Sequence, residues 1–98
     1  MICRFEEEAL AEYREGALYA EENYRLGEAF VQAVENALCE IAKSPTRYQA
    51  VGDGVRIFRL RRFPYYLYYL HHAPTRSITI YAVAHHKRER DYWRKRLG

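Results

Sequence analysis

The apolar residues of this chain change period once, and that change decides what the chain can fold into. Up to about residue 44 they recur at steps of three and four, the spacing of one face of a helix. Leu10, Tyr13, Ala17, Ala20 and Tyr24 form a first such stripe. Leu26, Phe30, Ala33, Val34, Ala37, Leu38 and Ile41 form a second. Residues 45–54 hold Pro45, Gly52, Asp53 and Gly54 and read as loop. Beyond them come short runs of β-branched and aromatic residues with alternating spacing, which is strand chemistry. A helical half followed by a sheet-forming half leaves an α+β architecture.

The elements can be placed more closely. Residues 2–5 read as a short first strand. A helix begins at about Glu8, with Glu6, Glu7 and Glu8 at the end where the helix dipole favours carboxylates. The second helix spans residues 26–43 and is stopped by Ser44-Pro45. The short connection at 23–27 makes the pair an antiparallel hairpin. Strands follow at 55–60, 65–71 and 77–84, the last two joined through Ala73-Pro74-Thr75. In the last strand, alternation puts Ile78, Ile80, Ala82 and Ala84 on one face, and Thr79, Tyr81, Val83 and His85 on the other. The expected fold is one domain over residues 1–98 in the order β-α-α-β-β-β. Its helical hairpin covers one face of a small, mainly antiparallel sheet, and a short tail ends the chain.

Ninety-eight residues suffice for one modest core, and an apolar share of 49% is not that of a disordered chain. No apolar run reaches membrane-span length, and the opening MICRFEEEA is acidic where a signal peptide is basic. A soluble cytoplasmic protein is expected. Cys3 and Cys39 are read as reduced, partly buried thiols, not a disulfide framework.

The net charge of +3 conceals an asymmetry. Residues 1–54 hold five Arg and Lys against eleven Asp and Glu, a balance of −6. Residues 55–98 hold eleven against two, a balance of +9. Pairing across the fold cancels part of this, but the excess should leave a basic surface suited to phosphate or acidic protein.

Two clusters carry the candidate chemistry. Arg56, Arg59, Arg61 and Arg62 lie on and just after the second strand. Guanidinium forks bind phosphate bidentately, though charge on a strand edge also guards against aggregation. His85, His86, Lys87, Arg88, Arg90 and Tyr92 follow the last strand. Attack of a ribose 2′-hydroxyl on its phosphate needs a base, an acid and a cation, and these residue types supply all three. A strand-end histidine more often makes a structural hydrogen bond, and neighbours such as His85 and His86 are expected to point to opposite faces. Phe63, Tyr65, Tyr66, Tyr68 and Tyr69 are better explained as sheet and core than as a base-stacking platform. No zinc-ligand spacing, phosphate-binding glycine loop or nucleophile elbow occurs, so neither metal nor cofactor is expected.

The strings RRFPYYLYY, IYAVAHHKR and DYW closely resemble the RelE/ParE superfamily of bacterial toxins, and the helical half is similar to the family's hairpin and its Pro-containing loop. The resemblance spans nearly the whole chain. It implies the toxin of a type II toxin–antitoxin (plasmid stabilisation) module, wrapped and neutralised by a cognate antitoxin in a hetero-oligomer. RelE-like members cleave mRNA in the ribosome; ParE-like members inhibit DNA gyrase. For a nuclease, the resemblance carries a functional arginine over to Arg88, a proton carrier to His85 or His86, a terminal tyrosine to Tyr92, and strand cations to Arg56 or Arg59. Two positions depart from that pattern. Tyr66 stands where RelE-like enzymes hold an arginine, and Tyr92-Trp93 comes early. The ParE-like branch is therefore expected, acting by binding through a basic sheet face with Arg59, Arg61, Arg62, His85 and Arg88. Cleavage of ribosome-bound mRNA, or a non-toxic partner-binding relic, are the alternatives.

Overall fold

The protein is described here over residues 1–97 of a computed structural model. Glu6 starts the first helix by accepting the backbone N–H groups of Glu8 (2.9 Å) and Ala9 (3.1 Å), which leaves fewer unpaired donors at the helix start. The elements are β1 (Ile2–Phe5), α1 (Glu7–Tyr24), α2 (Gly27–Lys43), β2 (Ala50–Gly52), β3 (Val55–Arg59), β4 (Tyr65–His72) and β5 (Ser77–His85), followed by a 3-10 turn at Arg94–Arg96. The five strands form one sheet in the order β1-β5-β4-β3-β2. Only β1 and β5 run parallel.

The expected order is met with one addition, β2. It lies in the segment read as loop and pairs antiparallel with β3. Gly52, Asp53 and Gly54 all have positive φ, and they turn the chain tightly between the two strands.

The helical hairpin packs on one face of the sheet, above a core that includes Phe30, Val34, Ile41, Leu67, Tyr69 and Ile80. Gly16 allows α1 and α2 this close approach, since a Cβ there would lie 2.7 Å from Phe30 Cζ. The Phe30 ring then meets Phe63 and Tyr65 edge-on at 5.3 and 5.0 Å. The helical stripes are shifted from the sequence expectation. Tyr24 and Leu26 end up on the surface, while Ala9, Gly16 and Gly27 are buried. Cys39 is exposed, and only Cys3 is partly buried.

Strict alternation also fails in β5. Ile80 is opposite Tyr69 and Ala82 opposite Tyr68, so Tyr81 is an extra residue in a β-bulge. The bulge exchanges the faces beyond it. Ile78, Ile80 and Val83 join the core under the helices, and Ala82 and Ala84 join a second core on the opposite face.

That second face is covered, contrary to expectation. The chain after β5 folds back beneath the sheet and buries Trp93 completely against Val55, Ile57, Tyr68, Ala82 and Ala84. The Trp93 indole N–H donates to Arg90 O at 2.6 Å, which closes the tail on itself. Among the described residues no helix is long and apolar enough to cross a membrane.

Candidate functional site

Strand register places the basic candidates at one end of the sheet, where β3 stops, β4 begins and β5 stops. Arg59 is opposite Tyr66, and His85 is opposite Tyr65. Arg61 and Arg62 occupy the β3–β4 connection between them. The expected single basic face does not form, because these residues divide among three surfaces. Arg59 lies with Tyr66 on the tail side. Arg61 and Arg62 border the groove along α2, and His85 and Arg88 share a cleft beside α1.

The two histidines are close, not on opposite faces. The strand ends at His85, so alternation no longer governs His86, and their ring centroids are 4.6 Å apart. His85 meets Tyr65 edge-on, and its Nδ1 accepts the Lys87 N–H at 3.2 Å. Partial burial, then the charges of His86 and Lys87, push its pKa below the ordinary 6.5. His85 is therefore neutral at physiological pH. The His86 Nδ1 lies 3.3 Å from Pro64 O, a contact that requires the proton on that nitrogen.

Tyr92 is committed elsewhere. Its hydroxyl donates to Glu12 Oε2 at 2.9 Å, and its ring has Arg88 at 4.1 Å and Arg96 at 4.8 Å. Burial first, then the hydrogen bond to Glu12, raise the phenol well above its ordinary 10. Glu12 also receives both terminal nitrogens of Arg96, at 2.9 and 3.0 Å, and the Val83 N–H at 3.0 Å. Arg96 Nη1 bonds Tyr81 O at 2.9 Å as well. Here β5 runs beyond the end of β1, so Glu12 and Arg96 satisfy backbone groups that no strand pairs. Sequence reasoning missed both residues. A glutamate on an amphipathic helix and an arginine in a basic tail carry no local mark of a partner 84 positions away.

The arginines differ in freedom. Arg56 is structural, donating to Tyr48 O at 2.7 Å. Arg61 pairs with Glu40 at 3.2 Å in solvent. Arg59 stacks over Tyr66 at 5.3 Å and contacts Gln49 Oε1 at 3.3 Å, with no acid partner among the described residues. Arg62 and Arg88 form no ion pair among the described residues. The end of the sheet thus offers several unneutralised guanidiniums around an aromatic floor, which suits binding to an anionic or mixed surface.

Residues 3–90 match the family model described as the ParE toxin of the type II toxin–antitoxin system parDE. No curated protein matches the sequence. In fold the chain is similar to a chain of the chromosomal ParDE TA system from P. aeruginosa, with a TM-score of 0.61 and 15% identity over 87% of this chain and 95% of that one. It is equally similar to the crystal structure of the isolated E. coli RelE toxin, with a TM-score of 0.62 and 20% identity over 99% and 98% of the two chains. The expected superfamily is thus met, and with a match spanning nearly its full length the chain belongs to the ParE toxin family of type II toxin–antitoxin systems.

Proposed function

We propose that the chain, as a single cytoplasmic domain, is neutralised by a cognate antitoxin and acts by binding DNA gyrase, not by cleaving RNA. The observation that carries this reading is the state of Tyr92. A phenol whose hydroxyl is given to Glu12, and which is held protonated far above neutrality, is a poor proton carrier near pH 7. Tyr66 contributes no positive charge where a nuclease of the superfamily holds an arginine. What remains at the end of the sheet is a set of arginines with tyrosine neighbours, a composition typical of the energetic centre of a protein interface. Arg59, Arg61, Arg62, His85 and Arg88 supply the proposed contact surface.

The test is supercoiling by purified gyrase with added toxin. Inhibition should appear at micromolar toxin and weaken at least about tenfold in an Arg62→Glu, Arg88→Glu double variant, a change typical of losing interface arginines. Unaffected supercoiling sinks the proposal.

One observation favours a second reading. His85 and Arg88 line the same cleft as Tyr65, which brings a neutral imidazole near a free cation. Ribosome-dependent mRNA cleavage would use Arg88 to stabilise the phosphorane and His85 or His86 to move the proton. Transcripts left intact in a cell-free translation reaction eliminate it, whereas cleavage lost on Arg88→Ala supports it. If induced expression leaves growth unchanged and both assays are blank, the chain is a non-toxic partner-binding relic.

A further inference from the structure

The two cysteines sit on different elements, Cys3 on the edge strand β1 and Cys39 on α2. Cys3 stands opposite Ile78 and Phe5 opposite Ile80, and both side chains pack against the core beneath the helices. The Phe5 ring stacks on Tyr13 with centroids 5.1 Å apart, and the Tyr13 hydroxyl donates to Glu35 Oε2 at 3.1 Å. These contacts tie the turn of α2 that carries Glu35 to the Phe5 end of β1. Near its start α2 sets Phe30 against Tyr65, which pairs with His85 at the end of β5. Just past its end, Pro45 O accepts the hydroxyl of Tyr69, which pairs with Ile80. The helix thus runs against β5, and so against β1, which is parallel to β5.

From the Phe5–Tyr13–Glu35 contact, two residues back along β1 is a step of about 6.6 Å. One turn onward along α2 is a step of about 6 Å. Because the elements run oppositely, both steps go the same way, and they end at Cys3 and Cys39. Leu38 and Ala42, on either side of Cys39, pack against the same core as Cys3. The charges agree with this placement. Burial raises the Cys3 thiol above its ordinary 9.0, the chain's amino terminus offsets part of that, and Cys39 and Glu35 raise it further. The two thiols differ in access, since Cys39 is exposed and Cys3 is partly buried.

We infer that Cys3 and Cys39 form a redox pair, free thiols at rest that hydrogen peroxide joins in a disulfide between β1 and α2. Cys39 reacts first, because it is open to solvent. Its thiolate attacks one peroxide oxygen and the O–O bond breaks. The departing hydroxide takes up a proton to become water, and Cys39 is left as a sulfenic acid. The Cys3 thiolate then attacks the Cys39 sulfur, the S–O bond breaks, and the sulfenic oxygen leaves as a second water. Two thiols have lost their hydrogens, and one peroxide has become two waters. The bond closes a loop over residues 3–39 that takes in all of α1. It also pins an edge strand whose only sheet neighbour is β5. The inference is independent of the gyrase proposal and survives its failure.

The test treats the dilute, folded full chain with a small excess of hydrogen peroxide, then unfolds it in an alkylating reagent and reads the intact mass. The expected product is a monomer two hydrogens lighter that takes up no reagent, with a peptide map linking residues 3 and 39. Its unfolding temperature should rise by on the order of 10 °C, as closing a loop of this length implies, and fall back when dithiothreitol is added. In Cys3→Ser the Cys39 sulfenic acid has no thiol to meet, so dimedone should trap it. In Cys39→Ser, Cys3 should stay reduced and open to the alkylating reagent once the chain is unfolded. Oxidation that stops at Cys39 in the unmodified chain, with Cys3 still alkylated, overturns the pair. A disulfide found only between two chains overturns it too. So does an internal disulfide that lowers the unfolding temperature, since it would form only by distorting the fold.

Discussion

Four donors converge on the Glu12 carboxylate: the Tyr92 hydroxyl, the Val83 N–H and the two terminal nitrogens of Arg96. The Arg96 side chain is only 5% exposed, and of its two carboxylate partners Glu12 is the buried one and Glu8 the exposed one. Glu12→Gln keeps the shape but removes the buried counter-charge of Arg96 and leaves it only the exposed Glu8, a loss of about 3 kcal/mol. Urea unfolding should show it as a lower midpoint with an unchanged slope. Exchanging both partners for apolar residues (Glu12→Leu with Arg96→Met) should cost less than Glu12→Gln alone, because no buried charge is then stranded. Tyr69 gives a pH-dependent case. It is fully buried, donates to Pro45 O at 2.7 Å, and is pushed up to about 12, mainly by burial. A folded-state pKa raised above its unfolded value contributes stability that is intact below pH 10 and is lost between 10 and 12. Tyr69→Phe should remove that part of the alkaline unfolding transition, followed by tyrosinate absorbance against circular dichroism. Tyr13, also raised to about 12, will still titrate in the same window, so the difference between the two proteins is the quantity to read.

Among the elements, the tail holds the second face of the sheet closed, with Trp93 fully buried there and Tyr92 and Leu97 packed beside it. Trp93→Ala should cost about 3–5 kcal/mol, the usual range for truncating a buried aromatic. It should also release the Arg90 backbone from its indole anchor, so amide hydrogen exchange in the tail should quicken as thermal stability falls. A variant that unfolds at the wild-type temperature would show that the tail is an accessory. The helices and four of the strands were legible because each buries one face and so displays its period. The tail was not. KRERDYWRKRLG reads as solvated charge, and the single tryptophan, four residues before Leu97, was the available mark of an apolar stripe. β2 is hidden by glycines that read as loop, although Asp53-Gly54 between short apolar runs is a hairpin signal. The bulge at Tyr81 left no local trace, since it is fixed by how Tyr68 and Tyr69 meet the neighbouring strand. For the candidate site, residue types and their common end of the sheet were readable. Their roles were not, because the partners of Tyr92 and Arg56 come from α1 and from the loop before β2.

At the scale of the whole molecule, the opposed charges of the two halves cancel only in part. Glu8 and Glu12 take Arg96, Glu40 takes Arg61, and Asp53 takes Arg94. Arg59, Arg62, Lys87, Arg88 and Arg90 have no such partner among the described residues, and all lie at or just beyond one end of the sheet. An antitoxin segment that covers this end should therefore carry acidic side chains, and its encounter with the toxin should be electrostatically steered. Screening length falls from about 30 Å at 0.01 M salt to about 10 Å at 0.1 M. The association rate should drop roughly tenfold over that range while the dissociation rate changes little, because steering acts on encounter and not on the formed contacts. Stopped-flow mixing of toxin with the isolated antitoxin measures both rates. The Arg62→Glu, Arg88→Glu variant should flatten most of the salt dependence, since it reverses two of the unpaired charges. An association rate indifferent to salt in the unmodified protein would mean that apolar contacts alone select the partner, and that the positive end of the sheet serves the target instead.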